Sequence, residues 1–174
     1  MNKRECGECT ACCEGWFRPN VGEGWWIRSS PELQPEPAEI YGHPILPMLG
    51  CHFRGNGCTI HENKPNHPCK SYQCAWLQNK NNQIPEWIKP SKSKVIITER
   101  KRDQPSGTPI TFWDITECGQ EISATYLNWI LIFCERNDIP VKYRVDGVEF
   151  RKFPSSFRER IRKGEMTIDW GEYW

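Results

Sequence analysis

Apolar and polar positions alternate with a clear period only from residue 94 onward. Residues 94–100 (KVIITER) and 108–115 (TPITFWDI) are rich in β-branched and aromatic side chains and predict two strands, joined by a polar loop containing Pro105, Ser106 and Gly107. Over residues 120–137 the period changes: Ile122, Tyr126, Trp129, Ile130 and Phe133 fall at i, i+4, i+7, i+8 and i+11, which predicts a helix. Asn137-Asp138-Ile139-Pro140 then stops it. Residues 141–145 and 148–153 flank Asp146-Gly147, the strongest short hairpin signal in the chain. Ser155 and Ser156 can cap a short helix that runs to about Lys163 and ends at Gly164. The predicted order is β-β-α-β-β-α.

The first 77 residues carry little periodicity. Six of the fourteen prolines (19, 31, 35, 37, 44 and 47) fall in residues 14–50, so that segment reads as irregular loop, with residues 24–28 as a short strand. Residues 78–93, with Asn81-Asn82, Pro85 and Pro90, read as a polar connector. The expected organisation is a cysteine-cluster region at 1–77, a connector at 78–93 and the regular region at 94–174, forming one compact unit. The expected fold class is α+β, with an irregular cysteine-rich, metal-binding N-terminal half packed on a small antiparallel β/α C-terminal half.

Cysteine placement changes the picture most. Cys6, Cys9, Cys12 and Cys13 form a C-x-x-C-x-x-C-C run, and Cys51, Cys58, Cys69 and Cys74 follow as a second group of four. Thiolates spaced two apart on a turn can aim at one centre, as a soft or borderline metal requires. Three at C-x2-C-x2-C suit one face of an iron–sulfur cube, and a C-x-x-C pair equally suits two vertices of a zinc tetrahedron. Neighbouring residues such as Cys12 and Cys13 rarely turn both side chains to one tetrahedral ion. The eight cysteines therefore point to two metals or to one multinuclear cluster, of zinc or of iron. A disulfide framework is the competing reading of an even cysteine count.

The same residues resemble a known family. Cys6-Gly-Glu-Cys9-Thr-Ala-Cys12-Cys13 matches the name-giving motif of the CxxCxxCC (YkgJ-like) family, described as a zinc- or iron-chelating domain. Gly50-Cys51-His52-Phe53, Gly57-Cys58-Thr59-Ile60-His61-Glu62 and the run from Lys64 through Cys69 and Cys74 to Leu77 are similar to its second motif. The resemblance covers residues 6–77. It implies a metal site held by Cys6, Cys9, Cys12, Cys13, Cys51, Cys58, Cys69 and Cys74, and it implies no particular reaction. Lys64 and Lys70 stand where the family usually has arginine, His61 stands where it often has tyrosine, and one residue is inserted before Cys69. Lysine lacks the bidentate fork with which arginine would orient a thiolate.

Charge adds mainly exclusions. With 23 Lys+Arg against 22 Asp+Glu, no global field draws the chain to nucleic acid or to an anionic membrane. The longest apolar stretch, residues 129–134, is far shorter than the roughly 18 residues a bilayer span needs. The opening Met-Asn-Lys-Arg-Glu-Cys has no apolar signal region, so a cytoplasmic location with reduced thiols is expected, which favours metal over disulfides. Trp25 and Trp26 lack a basic groove around them and read as packing near the metal rather than a base-stacking platform.

Cys134 lies among Ile130, Leu131 and Phe133 and reads as a buried, inert thiol, whereas Cys118 is placed at a helix entrance. His43, His52, His61 and His67 lie in or near the ligand region and read as neighbours of the site, with His61 and His67 the ones to watch. Arg158, Arg160, Arg162 and Lys163 offer a modest surface for a protein partner. Acidic residues are scattered, and no nucleophile elbow, phosphate loop, zinc-protease motif or dinucleotide fingerprint is present. The functional expectation is a metal-binding protein with a structural polynuclear or two-metal site and an accessory role. An iron–sulfur redox protein and a metal storage or delivery protein are the alternatives.

Overall fold

A computed structural model describes residues 9–14, 39–40, 42–44, 51–55, 57–65, 69–70, 72–79 and 83–169. Cys6, the segment 24–28 with Trp25 and Trp26, and His67 lie outside the described residues. The chain divides into two compact units, residues 1–96 and 97–174.

The first unit is built from short pieces, as its proline-rich, aperiodic sequence requires. A 3-10 turn spans Ala11–Glu14. Strands β1 (Glu39–Ile40) and β2 (His43–Pro44) pair antiparallel, as do β3 (Arg54–Gly55) and β4 (Gly57–Cys58). Helix α1 (Ala75–Gln78) follows, then a 3-10 turn at Glu86–Ile88 and helix α2 (Pro90–Ser93). The stretch 78–93 is thus more than a polar connector. Ile84 and Ile88 are fully buried, and the Ser93 hydroxyl donates to the Ile88 carbonyl at 3.0 Å. Pro90 opens α2, where its missing N–H costs nothing. The Lys89 ammonium sits over the buried Trp76 ring at 4.9 Å.

The second unit is a four-stranded sheet in the order β5-β6-β7-β8, made of β5 (Val95–Arg102), β6 (Ile110–Glu117), β7 (Val141–Val145) and β8 (Val148–Lys152). Helix α3 (Ala124–Arg136) connects β6 to β7, and α4 (Ser155–Arg162) follows β8. The class is α+β, but the sheet is mixed rather than antiparallel. β6 and β7 run parallel, with Trp113 opposite Val141 and Asp114 opposite Lys142. The helix between them is the reason: it returns the chain to the end of the sheet from which β6 started, as a parallel pair demands. β7 and β8, joined by Asp146-Gly147, make the expected antiparallel hairpin.

Helix α3 is shorter than residues 120–137 at both ends. The Ser123 side chain accepts from the Tyr126 N–H and starts the helix. Ahead of it the Glu117 carboxylate holds the Ile122 N–H at 2.8 Å, so Ile122 lies outside the helix. Phe133 stacks on Trp113 of β6 with centroids 5.1 Å apart and on Trp129 at 5.0 Å, while Ile130 and Cys134 are buried. These contacts seat the apolar stripe of α3 on the sheet. Gly164 ends α4 with φ 72°, its N–H donating to Ile161 and that of Glu165 to Arg160, as a helix-terminating glycine does. Among the described residues no helix is long and apolar enough to cross a membrane.

Candidate metal centre

Backbone hydrogen bonds set the frame of the second cysteine group. Cys51 and Cys58 flank one tight hairpin: the Arg54 N–H donates to the Cys51 carbonyl at 3.1 Å, and β3 places Arg54 opposite Cys58. Thr59 closes this turn twice, its N–H and its hydroxyl each donating to the Phe53 carbonyl at 2.9 Å. Next to Cys69 the Lys70 N–H donates to the Pro65 carbonyl. Cys74 is buried at the start of α1, its carbonyl accepting from the Leu77 and Gln78 N–H groups.

Cys69 feels two of the other thiols. Burial pushes the Cys69 thiol above its ordinary range, and the negative charges of Cys51 and Cys58 push it further. The Lys64 ammonium opposes them. The sequence had marked Lys64 only as a departure from a family arginine; the structure gives it a charge that reaches Cys69. Cys51, Cys58 and Cys69 are each partly exposed and carry free thiols.

In the first group, Cys9 is likewise free, Cys9 and Cys12 are both partly exposed, and Ala11 between them is buried. The backbone of Cys13 belongs to the Ala11–Glu14 turn. Among the described residues, no group of three or more His, Cys, Asp or Glu side chains is arranged to hold a metal ion as it stands. His52 meets Phe53 edge-on at 5.1 Å, and the exposed His61 ring lies 3.9 Å from Glu62.

The donor set nonetheless suits a soft or borderline cation. Thiols bind a divalent ion as thiolates, releasing their protons as they do so. Cys118 and Cys134 have no such setting. Burial lifts the Cys134 thiol to about 12, against a smaller opposing pull from Lys152. Cys118 is buried, its Sγ 3.9 Å from the Thr116 carbonyl. It precedes the Ser123 cap, so the helix entrance that would activate it lies further along the chain.

One polar cluster gave no signal in the sequence, where the acidic residues looked scattered. Asp114 is buried on β6 and pairs with Arg100 of β5 at 2.8 Å and with Lys142 of β7 at 3.2 Å. Lys142 lies 3.7 Å from Glu149 of β8, which holds Arg151 at 2.8 Å. The alternating charges of β7 and β8 hint at it, but the partner strands are set by tertiary pairing. Its satisfied ion pairs read as structural.

Comparison with protein-family models, with curated proteins and with solved structures finds no match.

Proposed function

We propose that this chain is a metal-binding cysteine-cluster protein whose zinc or iron site organises residues 1–77. In this reading Cys6, Cys9, Cys12, Cys13, Cys51, Cys58, Cys69 and Cys74 supply the ligands to two ions or one polynuclear centre. The observation that carries it is the partly exposed Cys69 thiol, which lies within electrostatic reach of Cys51 and Cys58, the two cysteines of one hairpin. The free thiols of Cys9, Cys51, Cys58 and Cys69 and the resemblance of both motifs to the CxxCxxCC family support it. All-cysteine sites with every position closed are structural more often than catalytic, so the metal is assigned a structural role. Function then lies in binding a protein partner, in the cytoplasm.

The spacing Cys6-x2-Cys9-x2-Cys12 favours a second reading, an iron–sulfur redox protein, because three thiolates so spaced cap one face of a cube. Metal quantification of protein purified without oxygen tests both. Zinc in a colourless sample supports the structural site, and a brown sample containing iron and sulfide supports the redox reading. Protein that carries no zinc or iron after gentle purification, and takes up neither on reconstitution, overturns both.

A further inference from the structure

The outer strand of the second unit carries the features of a self-complementary edge. β8 ends the sheet order, and no strand lies on its far side among the described residues. Asp146 and Gly147 both have positive φ, 51° and 74°, so the hairpin closes through a two-residue turn of the type that matches strand twist. The register is Val145↔Val148, Arg144↔Glu149, Tyr143↔Phe150, Lys142↔Arg151 and Val141↔Lys152.

In such a hairpin the pair next to the turn is hydrogen-bonded and the pairs then alternate. Val148, Phe150 and Lys152 therefore spend their backbone groups on β7. Glu149 and Arg151 present theirs outward. Side chains alternate in the same rhythm. Val148 and Phe150 share a face with Tyr143, on which Phe150 stacks at 5.6 Å, and Glu149 and Arg151 occupy the other. Val148 is 57% exposed and Phe150 43% exposed, large values for apolar side chains in a sheet.

We propose that β8 is a homodimerisation edge, pairing antiparallel with β8 of a second copy about a two-fold axis through Phe150. In that register Glu149 and Arg151, already ion-paired within each chain at 2.8 Å, extend the pairing across the axis: Glu149 meets Arg151 of the second copy, Arg151 meets its Glu149, and the two Phe150 side chains become cross-strand neighbours. The outward N–H and C=O groups of Glu149 and Arg151 then exchange hydrogen bonds, which is the phase the hairpin imposes. Charge selects this register and this partner. A shift of the axis by one residue sets Glu149 against Glu149 or Arg151 against Arg151, and like charges directly opposed are unfavourable. Val148 meets the Lys152 stem, which can cover it while keeping its ammonium in water. The paired edge is short, so the dimer is weak.

Sedimentation of the full-length, metal-loaded chain under reducing conditions tests this across a hundred-fold concentration range. The native chain should pass from monomer to dimer. Glu149→Arg alone and Arg151→Glu alone should each weaken self-association by roughly tenfold or more. An equimolar mixture of the two should dimerise again, because every cross-strand pair is then of opposite charge. A native chain that stays monomeric overturns the proposal, as does a dimer indifferent to the single reversals or a mixture that fails to associate. Should either reversal fail to fold, Phe150→Cys serves instead. Mild oxidation should give a covalent dimer joined at residue 150 by peptide mapping, with none at an Ile132→Cys control. Equal cross-linking at both positions overturns the pairing.

Discussion

The Arg100 Nε–H donates to the Asp114 carboxylate at 2.8 Å, tying β5 to β6 from inside the sheet. Asp114 is also 3.2 Å from the Lys142 ammonium, so one buried carboxylate serves two cations on two neighbouring strands. Removing it would strip both cations of a close counter-charge in a poorly solvated place, with Glu149 at 3.7 Å still near Lys142, and that loss costs more than the pair contributes. Asp114→Ala should therefore destabilise the second unit by roughly 3 kcal/mol. Chemical denaturation followed by tryptophan fluorescence measures this, and a loss below about 0.5 kcal/mol, the size of an exposed pair, would show the carboxylate to be well hydrated.

Glu135 links α3 to α4, accepting the Ser155 backbone N–H at 2.9 Å and the Ser155 hydroxyl. These hydrogen bonds hold its carboxyl below the usual value of 4.5, with smaller help from Arg158 and Lys152. A depressed carboxyl contributes stability that is present above its unfolded pKa and is lost as pH falls through the folded one. The side chain is about a third exposed, at 32%, so screening keeps the contribution below about 1 kcal/mol. Glu135→Gln should lower the melting temperature at pH 7, and the gap from the native chain should narrow at a pH well below the usual carboxyl value of 4.5. An equal gap at both pH values would make the contact one of shape rather than charge.

Metal removal should divide the chain. The second unit has its own apolar core in Phe112, Trp113, Ile115, Ile130 and Val141. Residues 1–77 have eight clustered cysteines and few periodic apolar positions. A structural metal contributes on the order of 10 kcal/mol to small metal-folded modules. Strong chelation under reducing conditions should make residues 1–77 sensitive to protease and leave residues beyond about 94 resistant. Fragment masses from limited proteolysis read this out, and an unchanged pattern after verified metal removal would disprove the dependence.

Local chemistry was legible in the sequence, and long-range pairing was not. Asp146-Gly147 announced the β7–β8 hairpin because both residues accept positive φ, which two-residue hairpin turns require. Gly164 announced the end of α4 for a similar reason. Direction within the sheet failed, because Trp113 and Val141 are brought together by a helix and carry no local mark of running parallel. Ile84 and Ile88 were hidden among asparagines and prolines, where a turn of helix too short to show a period still buries two side chains. At the candidate site the cysteine spacing marked the residues proposed as donors. The hairpin that sets Cys51 and Cys58 near Cys69 depends on Thr59 and Arg54 backbone bonds that no spacing rule encodes.

The ligand assignment makes two linked predictions for one set of variants. Serine oxygen is a poor donor to soft or borderline ions, so Cys51→Ser, Cys58→Ser and Cys69→Ser should each lower bound metal, as should Cys6→Ser, Cys9→Ser and Cys12→Ser. Cys134→Ser should leave the metal content unchanged and cost only packing, since that thiol is buried and stays protonated at neutral pH. Loss of metal from Cys134→Ser would overturn the division into eight ligands and two bystanders. The adjacent pair Cys12-Cys13 sets the count of ions. Two neighbouring thiolates seldom chelate one tetrahedral ion, and eight are twice what one such ion can use. Native mass spectrometry of gently purified protein should therefore find more than one metal ion per chain, and Cys13→Ser should reduce that number. One ion per chain, retained in Cys13→Ser, would reduce Cys13 to a neighbour of the site and make a single four-cysteine zinc the better account.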